Sequence, residues 1–216
     1  MIHQNQQVYL QGAPLEEARA AVVMLHGRGA TAQDILTLAN EFPEPGVAYL
    51  APQAYANTWY PNRFMEPTET NEPWLSSALQ MIQSILNRLE AANIPPERTI
   101  LLGFSQGGCL ALEYAALHAR HYGGVAGLSG GLIGADGEER PNSGDFDGTP
   151  IFLGCDEQDF HIPAYRVHDS AETLRKMGGD VTVKLYQGLG HAVNAEELEV
   201  VRSMIRGIQD NQSAGK

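Results

Sequence analysis

The fold of this chain is decided by the stretch TILLGFSQGG, residues 99–108. Its apolar first half is typical of a short strand that is buried on both faces of a sheet. Residues 103–107 then match the pattern G-x-S-x-G, and residues 109–117 have helical composition without a breaker. Strand, sharp turn and helix together indicate a nucleophile elbow, in which a strained turn exposes a serine hydroxyl above the sheet. We therefore interpret Ser105 as a candidate nucleophile, with an ordinary turn serine as the alternative.

The two glycines that flank this serine, Gly103 and Gly107, fit the same interpretation. A Cβ at either position is expected to strike the neighbouring strand or helix. The helix that starts beside Ser105 is expected to direct its free N–H groups at developing negative charge.

Length and composition favour one α/β domain that spans residues 1–216. The chain has 216 residues, of which 43% are hydrophobic, so it can bury a sizeable core. We place that core at about residues 7–208 and expect a flexible tail over 209–216. The formal net charge is -12 and no Lys/Arg-rich block is present. Nucleic acid and anionic membrane surfaces are therefore not expected as partners.

The N-terminal residues and the cysteines indicate a cytoplasmic protein. The first seven residues, MIHQNQQ, lack the basic and apolar parts of a signal peptide. No apolar run approaches the roughly 18–20 residues that a membrane-spanning helix needs. The two cysteines, Cys109 and Cys155, do not form a metal-binding or redox spacing, and we expect no structural disulfide. Cys109 is expected to be a small core residue.

Strand and helix patterns alternate along the chain, which predicts right-handed crossovers and a mostly parallel sheet flanked by helices on both faces, in a single three-layer domain. An edge strand is predicted at 7–10, further strands at 20–25, 47–50, 100–102, 123–129 and 150–154, and a last, alternating strand at 181–186. Helices are predicted at 34–39, 74–92, after Pro163 and at 195–208. The first helix is expected to begin with a capping box formed by Thr31 and Asp34.

Residues 52–73 contain four prolines without periodicity and are either functional or mobile. The acidic, glycine-rich stretch 130–148 is expected to be a surface loop.

A nucleophilic serine needs a base and a carboxylate, which α/β-hydrolases supply in the chain order Ser, acid, His. His191 follows the last predicted strand and is the candidate base; the other candidates, His26, His118, His121 and His168, fit less well. Asp159 and Asp156 both follow the strand at 150–154. Both are candidates for the acid, with a turn cap as the alternative for Asp156. Asp159 is preferred once the family resemblance given below is included.

Two backbone N–H groups are candidates for binding the oxyanion. That of Gln106 comes directly after Ser105. The second candidate is that of Arg28, in the turn HGRG after a buried strand. An ordinary glycine turn is the alternative for the HGRG segment.

Four segments in this order resemble the phospholipase/carboxylesterase family of α/β-hydrolases. They are LHGRG at 25–29, GFSQGG at 103–108, DFHIP at 159–163 and GH at 190–191. The resemblance covers about residues 20–208 and implies the α/β-hydrolase fold. It also implies a triad of Ser105, Asp159 and His191, neither metal nor cofactor, and hydrolysis of carboxylic esters or thioesters.

Three residues depart from the family pattern: Phe160 follows the acid where proline is usual, His161 replaces an aliphatic residue, and Arg28 replaces an apolar or small one. The last two are expected to place polar side chains at the acyl pocket. An aromatic pair like that of the family, Trp59 and Tyr60, stands in the proline-rich stretch with Phe64 and Met65. We interpret these four residues as walls or lid of a substrate cleft, with packing of the loop onto the body as the alternative.

The sequence thus predicts a serine hydrolase that cleaves small-molecule carboxylic esters through an acyl-enzyme, with thioesters and lysophospholipids as further substrate classes. A non-catalytic binding protein of the same fold is the alternative from another class. A dienelactone-type hydrolase is the nearer rival, but cysteine is expected there in place of Ser105. The sequence leaves a homodimer open.

Overall fold

The strands form one seven-stranded sheet in the order β1-β3-β2-β4-β5-β6-β7. A computed structural model describes residues 2–139 and 143–213, and only the backbone of 210–213. The strands are β1 Val8–Gly12, β2 Ala20–Leu25, β3 Val47–Pro52, β4 Thr99–Phe104, β5 Gly124–Leu128, β6 Pro150–Asp156 and β7 Asp180–Tyr186. β1 runs antiparallel to β3 at the edge, and every other pair is parallel. The mostly parallel sheet and its early edge strand are confirmed.

Helices cover both faces of the sheet. They are α1 Ala32–Leu36, α2 Trp74–Ala91, α3 Gln106–Leu117, α4 Ala164–Lys176 and α5 Ala195–Ser213. Alternate residues of β2 enter separate apolar clusters: Val23 belongs to the cluster that includes α2, α3 and α4, and Val22 to the one that includes α1 and α5. Burial on both faces explains why the central strands are continuously apolar. No helix in the described part of the chain is long and apolar enough to cross a membrane.

The turn between β4 and α3 brings backbones into direct contact. A Cβ on Gly103 would lie 2.1 Å from the carbonyl oxygen of Gly107, and one on Gly107 would lie 2.1 Å from that of Leu25. Ser105 between them has φ 55° and ψ −119°, a left-handed conformation that is costly for a residue with a side chain. Both glycines are therefore required by close approach, as the sequence predicts.

The capping box at the first helix is confirmed, because the Thr31 side chain accepts from the N–H of Asp34 and the Asp34 carboxylate accepts from the N–H of Thr31. The α-helix itself covers Ala32–Leu36, and a 3₁₀ turn, Thr37–Glu41, follows it. At the other end of the chain, α5 continues to Ser213, beyond its predicted end near residue 208. The rest of the expected tail, residues 214–216, lies outside the described residues.

The prediction of a surface loop over 130–148 is wrong for its first part, because residues 130–134 are buried. Two buried charged side chains bind the polar backbone of this part. Arg166 donates to the carbonyl of Leu132 at 2.7 Å and to that of Gly134 at 2.9 Å, and Glu113 accepts from the N–H of Ile133 at 2.8 Å. With its backbone satisfied, an irregular segment can pack Leu132 and Ile133 into the core. Residues 140–142 lie outside the described residues.

Substitution of Gly107 by alanine should lower the free energy of unfolding by at least about 3 kcal/mol, because the added methyl group meets a backbone carbonyl that cannot move alone. The matched control is Gly207→Ala in α5, where a Cβ would meet nothing within 4 Å. There, alanine should stabilise the protein by roughly 0.5–1 kcal/mol through its higher helix propensity. Urea denaturation of both variants tests the pair, and equal effects would contradict the packing argument.

Candidate active site

The candidate residues lie where parallel strands end. Ser105 follows β4, Asp159 follows β6, and His191 follows β7. Because these strands are parallel, their carboxyl ends meet at one edge of the sheet, which is where open α/β sheets bind their ligands. Arg28 reaches the same edge from the end of β2.

The structure brings Ser105, His191 and Asp159 into one hydrogen-bonded chain. Nε2 of His191 lies 2.8 Å from Oγ of Ser105, and Nδ1 of His191 lies 2.6 Å from Oδ2 of Asp159. The second carboxylate oxygen of Asp159 accepts from the N–H groups of His161 at 2.8 Å and Ile162 at 3.1 Å. The Asp159 side chain has no exposed surface, whereas 22% of the His191 side chain is exposed.

Hydrogen bonds keep Asp159 ionised although it is buried. Burial alone would raise the pKa of its carboxyl, but the bonds from the His191 ring and the His161 N–H outweigh it and hold the pKa below the ordinary value. An ionised carboxylate only accepts, so Nδ1 of His191 carries the hydrogen of this bond. In the neutral ring, Nε2 is then left as an acceptor for the Ser105 hydroxyl.

The other acid candidate, Asp156, supports the loop that carries His191, the candidate base. Its Oδ1 accepts from the N–H of Gln158 at 2.7 Å, and its Oδ2 accepts from those of Leu189 at 2.5 Å and Gly190 at 3.0 Å. The N–H groups of Gln158 and Gly190 hold the pKa of this carboxyl below its ordinary value. Asp156 thus caps the turn after β6, the alternative that the sequence left open for it, and also ties that turn to the residues just before His191.

Two aromatic rings contact the His191 imidazole. The Phe104 ring lies 5.0 Å from it between centroids, and the His161 ring lies 4.8 Å from it. Phe160, which follows the acid in sequence, is 78% exposed and contacts the His161 ring at a centroid distance of 5.4 Å.

The N–H groups of Gln106 and Arg28 are available to a ligand. Gln106 is the first residue of α3, so its N–H has no intrahelical acceptor. The N–H of Arg28 has no acceptor among the described residues.

The His26 ring orients the peptide that carries the Arg28 N–H. Its Nε2 accepts from the N–H of Ala54 at 3.0 Å, so its Nδ1 is the protonated nitrogen and donates to the carbonyl of Gly27 at 2.8 Å. Burial lowers the pKa of His26, which favours this neutral form. In a planar trans peptide the C=O and N–H point in opposite directions, so the Arg28 N–H points away from the His26 ring.

The side chain of Gln106 binds the proline-rich loop. Its Oε1 accepts from the N–H of Trp59 at 2.9 Å and the hydroxyl of Thr58 at 3.2 Å, and its Nε2 donates to the carbonyl of Tyr60 at 2.7 Å. Sequence reasoning missed this contact, since it joins positions about 46 residues apart. The one feature of the sequence that could have indicated the contact is the glutamine in GFSQGG, because its side-chain amide can both donate and accept hydrogen bonds.

Among the residues described above, Arg28, Ser105, Gln106 and His191 border a cleft of about 840 Å³. Three of the five residues predicted to bind substrate line it: Tyr60, Phe64 and His161. The structure does not bring the other two to the cleft. Trp59 is fully buried and donates through Nε1 to the carbonyl of His26 at 2.9 Å, and Met65 packs against the core.

Further lining residues were not singled out from the sequence: Pro61, Asn62, Arg63, Glu66, Thr70 and Ile162. Five of the six belong to the stretch 52–73, whose length and lack of periodicity indicated either a functional or a mobile segment. Within residues 2–139 and 143–213, no three His, Cys, Asp or Glu side chains are grouped so as to hold a metal ion.

Comparison with known proteins places these features in a family. The family described as Phospholipase/Carboxylesterase matches residues 11–208 of the chain. Acyl-protein thioesterase 1 of Gibberella zeae is 37% identical over 119 residues, a match that covers 53% of this chain and only 50% of that relative. Acyl-protein thioesterase 1 of Emericella nidulans is 26% identical over 231 residues, covering 93% and 95% of the two chains.

A solved structure gives a longer match at higher identity. The crystal structure of a phospholipase/carboxylesterase from Dyadobacter fermentans is 40% identical, with a TM-score of 0.89. The match covers 95% of this chain and 98% of that one.

The helix that follows the base begins with a buried carboxylate. Asn194 and Glu197 form a capping box, in which the Asn194 side chain accepts from the N–H of Glu197 at 3.0 Å and Oε2 of Glu197 accepts from the N–H of Asn194 at 2.9 Å. Oε1 of Glu197 is buried without a hydrogen-bond partner among the described residues. It lies against Gly154 of β6, where a Cβ would come within 2.1 Å of it. Burial raises the pKa of Glu197 to about 7.

The raised pKa of Glu197 predicts a loss of stability with rising pH. The folded state holds the proton up to about pH 7, whereas the unfolded chain releases it near the ordinary value of 4.5. The free energy of unfolding of the wild type, minus that of Glu197→Gln, should therefore fall by about 3 kcal/mol between pH 4.5 and 7.5. Glutamine keeps an oxygen for the Asn194 N–H but does not titrate. Urea denaturation across this pH range measures the difference, and a flat one would contradict the assignment.

Proposed function

The chain belongs to the phospholipase/carboxylesterase family, and we propose that it is a serine hydrolase that cleaves carboxylic esters through an acyl-enzyme. The observation that carries the proposal is the hydrogen-bonded chain from Ser105 through His191 to Asp159. A serine hydroxyl is a weak nucleophile at neutral pH, and this arrangement supplies both the base that activates it and the carboxylate that orients the base. The names of the relatives support the same reaction class.

In the first half of the proposed reaction, Ser105 attacks the ester carbonyl while its proton passes to Nε2 of His191. Asp159 stabilises the imidazolium that forms, because its carboxylate accepts from Nδ1. The N–H groups of Gln106 and Arg28 bind the oxyanion, and each is worth roughly 3–4 kcal/mol in the transition state. The imidazolium then gives its proton to the leaving oxygen, and the alcohol departs from the acyl-enzyme.

In the second half, water repeats the attack. His191 takes a proton from a water molecule, the hydroxide adds to the acyl carbonyl, and the second oxyanion rests on the same N–H groups. Collapse of this intermediate returns the proton to Oγ of Ser105 and releases the acid. Atoms and charges balance with the substrate, one water, the three side chains and the two backbone N–H groups.

Thioesters and lysophospholipids belong to the proposal as further substrate classes. With a thioester the imidazolium gives its proton to the leaving sulfur and a thiol departs, so the roles of the protein groups stay the same. Two fungal relatives are named as acyl-protein thioesterases. Two free, buried cysteines, Cys109 and Cys155, support a cytoplasmic location as part of the proposal.

Ser105→Ala should lower kcat for p-nitrophenyl butyrate by at least about 10³-fold, because the acyl-enzyme cannot form. The exposed Ser203 of α5 supplies the matched control, and Ser203→Ala should turn over like the wild type. A fluorophosphonate probe should label the wild type and the control but not Ser105→Ala. Circular dichroism and thermal unfolding check that both variants are folded.

Wild-type turnover by a folded Ser105→Ala would refute the mechanism. A wild type that neither hydrolyses the ester nor takes up the probe would favour the non-catalytic alternative instead.

A further inference from the structure

The Arg28 side chain is fixed on the wall of the cleft. Its guanidinium donates to the carbonyl oxygens of Pro61 at 2.8 Å and Asn62 at 2.5 Å, and its carbon lies 6.0 Å from the centroid of the Tyr60 ring. All three of these partners line the cleft, as Arg28 itself does. The cation is therefore held in place before any ligand arrives.

These contacts hold the charge without neutralising it. A carbonyl oxygen orients a guanidinium, whereas a carboxylate would also cancel its charge, and in the described part of the chain Arg28 has no carboxylate partner. Other arginines differ: Arg166 pairs with Asp136, and Arg206 pairs with Glu44. A guanidinium carries more N–H donors than the two that Arg28 uses here, so donors remain for a ligand.

A second cation lies on the same wall. Arg63 lines the cleft, is exposed and has no ion pair among the described residues. Glu66 is the one Asp or Glu in the lining, so the two arginines outnumber it. The ionised carboxylate of Asp159 is bound to His191 behind the lining, so the positive charge belongs to the wall that carries Arg28 and Arg63. In a chain with a formal net charge of -12, anionic ligands would be attracted locally to this wall.

From this wall we propose that the cleft takes esters that carry a carboxylate, and that the Arg28 guanidinium binds this carboxylate during hydrolysis. The inference rests on the proposed function and names its substrate class. Because the Arg28 N–H is also placed at the oxyanion, the guanidinium is no farther from the reacting carbonyl than one arginine side chain. The spacer between the ester and the carboxylate is therefore short, a few atoms.

Four esters, arranged as two pairs of one anionic and one neutral ester, test the proposal and show which side of the ester carries the carboxylate. The neutral reference is p-nitrophenyl butyrate. Mono-p-nitrophenyl glutarate has the carboxylate on the acyl side, and 4-carboxyphenyl butyrate has it on the leaving group, for which phenyl butyrate is the neutral reference. For each pair, the ratio of kcat/KM for the anionic ester to that for the neutral one is measured in wild type and variants. Effects of a variant on the oxyanion site act on both members of a pair and cancel in the ratio.

Arg28→Met should lower the ratio roughly five- to tenfold for at least one pair, the effect of losing one partly exposed ionic hydrogen bond. Arg28→Lys keeps the charge and should retain most of the preference. The matched control is Arg98→Met, since Arg98 is also bound to a backbone carbonyl, that of Asn93, but stands just before the amino end of β4. Its ratios should equal those of the wild type.

Unchanged ratios for both pairs in Arg28→Met would overturn the proposal. If the wild type hydrolyses none of the four esters, the proposed function has failed, and binding decides the anion site separately. Isothermal titration with glutarate should then show binding to the wild type that Arg28→Met weakens at least fivefold, and equal binding or none would overturn the site.

Discussion

Close backbone contact at Gly103 and Gly107 is the constraint on which the rest of the site depends. Because neither residue has a Cβ, α3 can start directly against β2 and β4, and the chain must turn through a left-handed conformation at Ser105. Such a conformation costs on the order of 1–3 kcal/mol and persists only where the surrounding packing over-determines it. Here the buried strands on both sides supply that packing. The strain places a hydroxyl above the sheet edge with the first N–H of a helix beside it.

The two aspartates at the end of β6 and in the turn after it, Asp156 and Asp159, bind different parts of the His191 loop. Asp159 accepts from the ring of His191, and Asp156 accepts from the backbone just before it. The imidazole is thus oriented by one acid and its loop is anchored by the other. Both are held ionised by hydrogen bonds, Asp159 against the effect of its burial, whereas Glu197 has an unpartnered oxygen and the opposite shift of its pKa. Hydrogen-bond donors thus outweigh burial at Asp159, whereas at Glu197 burial outweighs the donor that it has.

Sequence reasoning succeeded where local pattern determines position. The turn at Ser105 and the capping box at Thr31 are encoded within a few residues, and strand order along the chain was enough to place His191 and Asp159 at one edge. It failed where the structure depends on contacts between residues that are far apart in the sequence. Nothing near Trp59 indicates that its ring is buried against His26, and the burial of residues 130–134 depends on Arg166 and Glu113, which approach from two helices. Periodicity carries no information about such pairs, because they are formed by tertiary packing.

Long-range contacts also join the turn at Ser105 to the wall of the cleft. Gln106 lies next to Ser105 through its backbone, and its side chain holds the peptide groups of Trp59 and Tyr60. The residues that follow these in the loop, 61 and 62, hold the guanidinium of Arg28, whose own N–H has no acceptor among the described residues. The turn at Ser105, the cleft wall at residues 58–62 and the HGRG turn that carries Arg28 are therefore one hydrogen-bonded unit. A change in the wall at residues 58–62 should consequently alter the placement of the N–H groups of Gln106 and Arg28. Under the proposed mechanism, such a change would affect substrate preference and catalytic rate together.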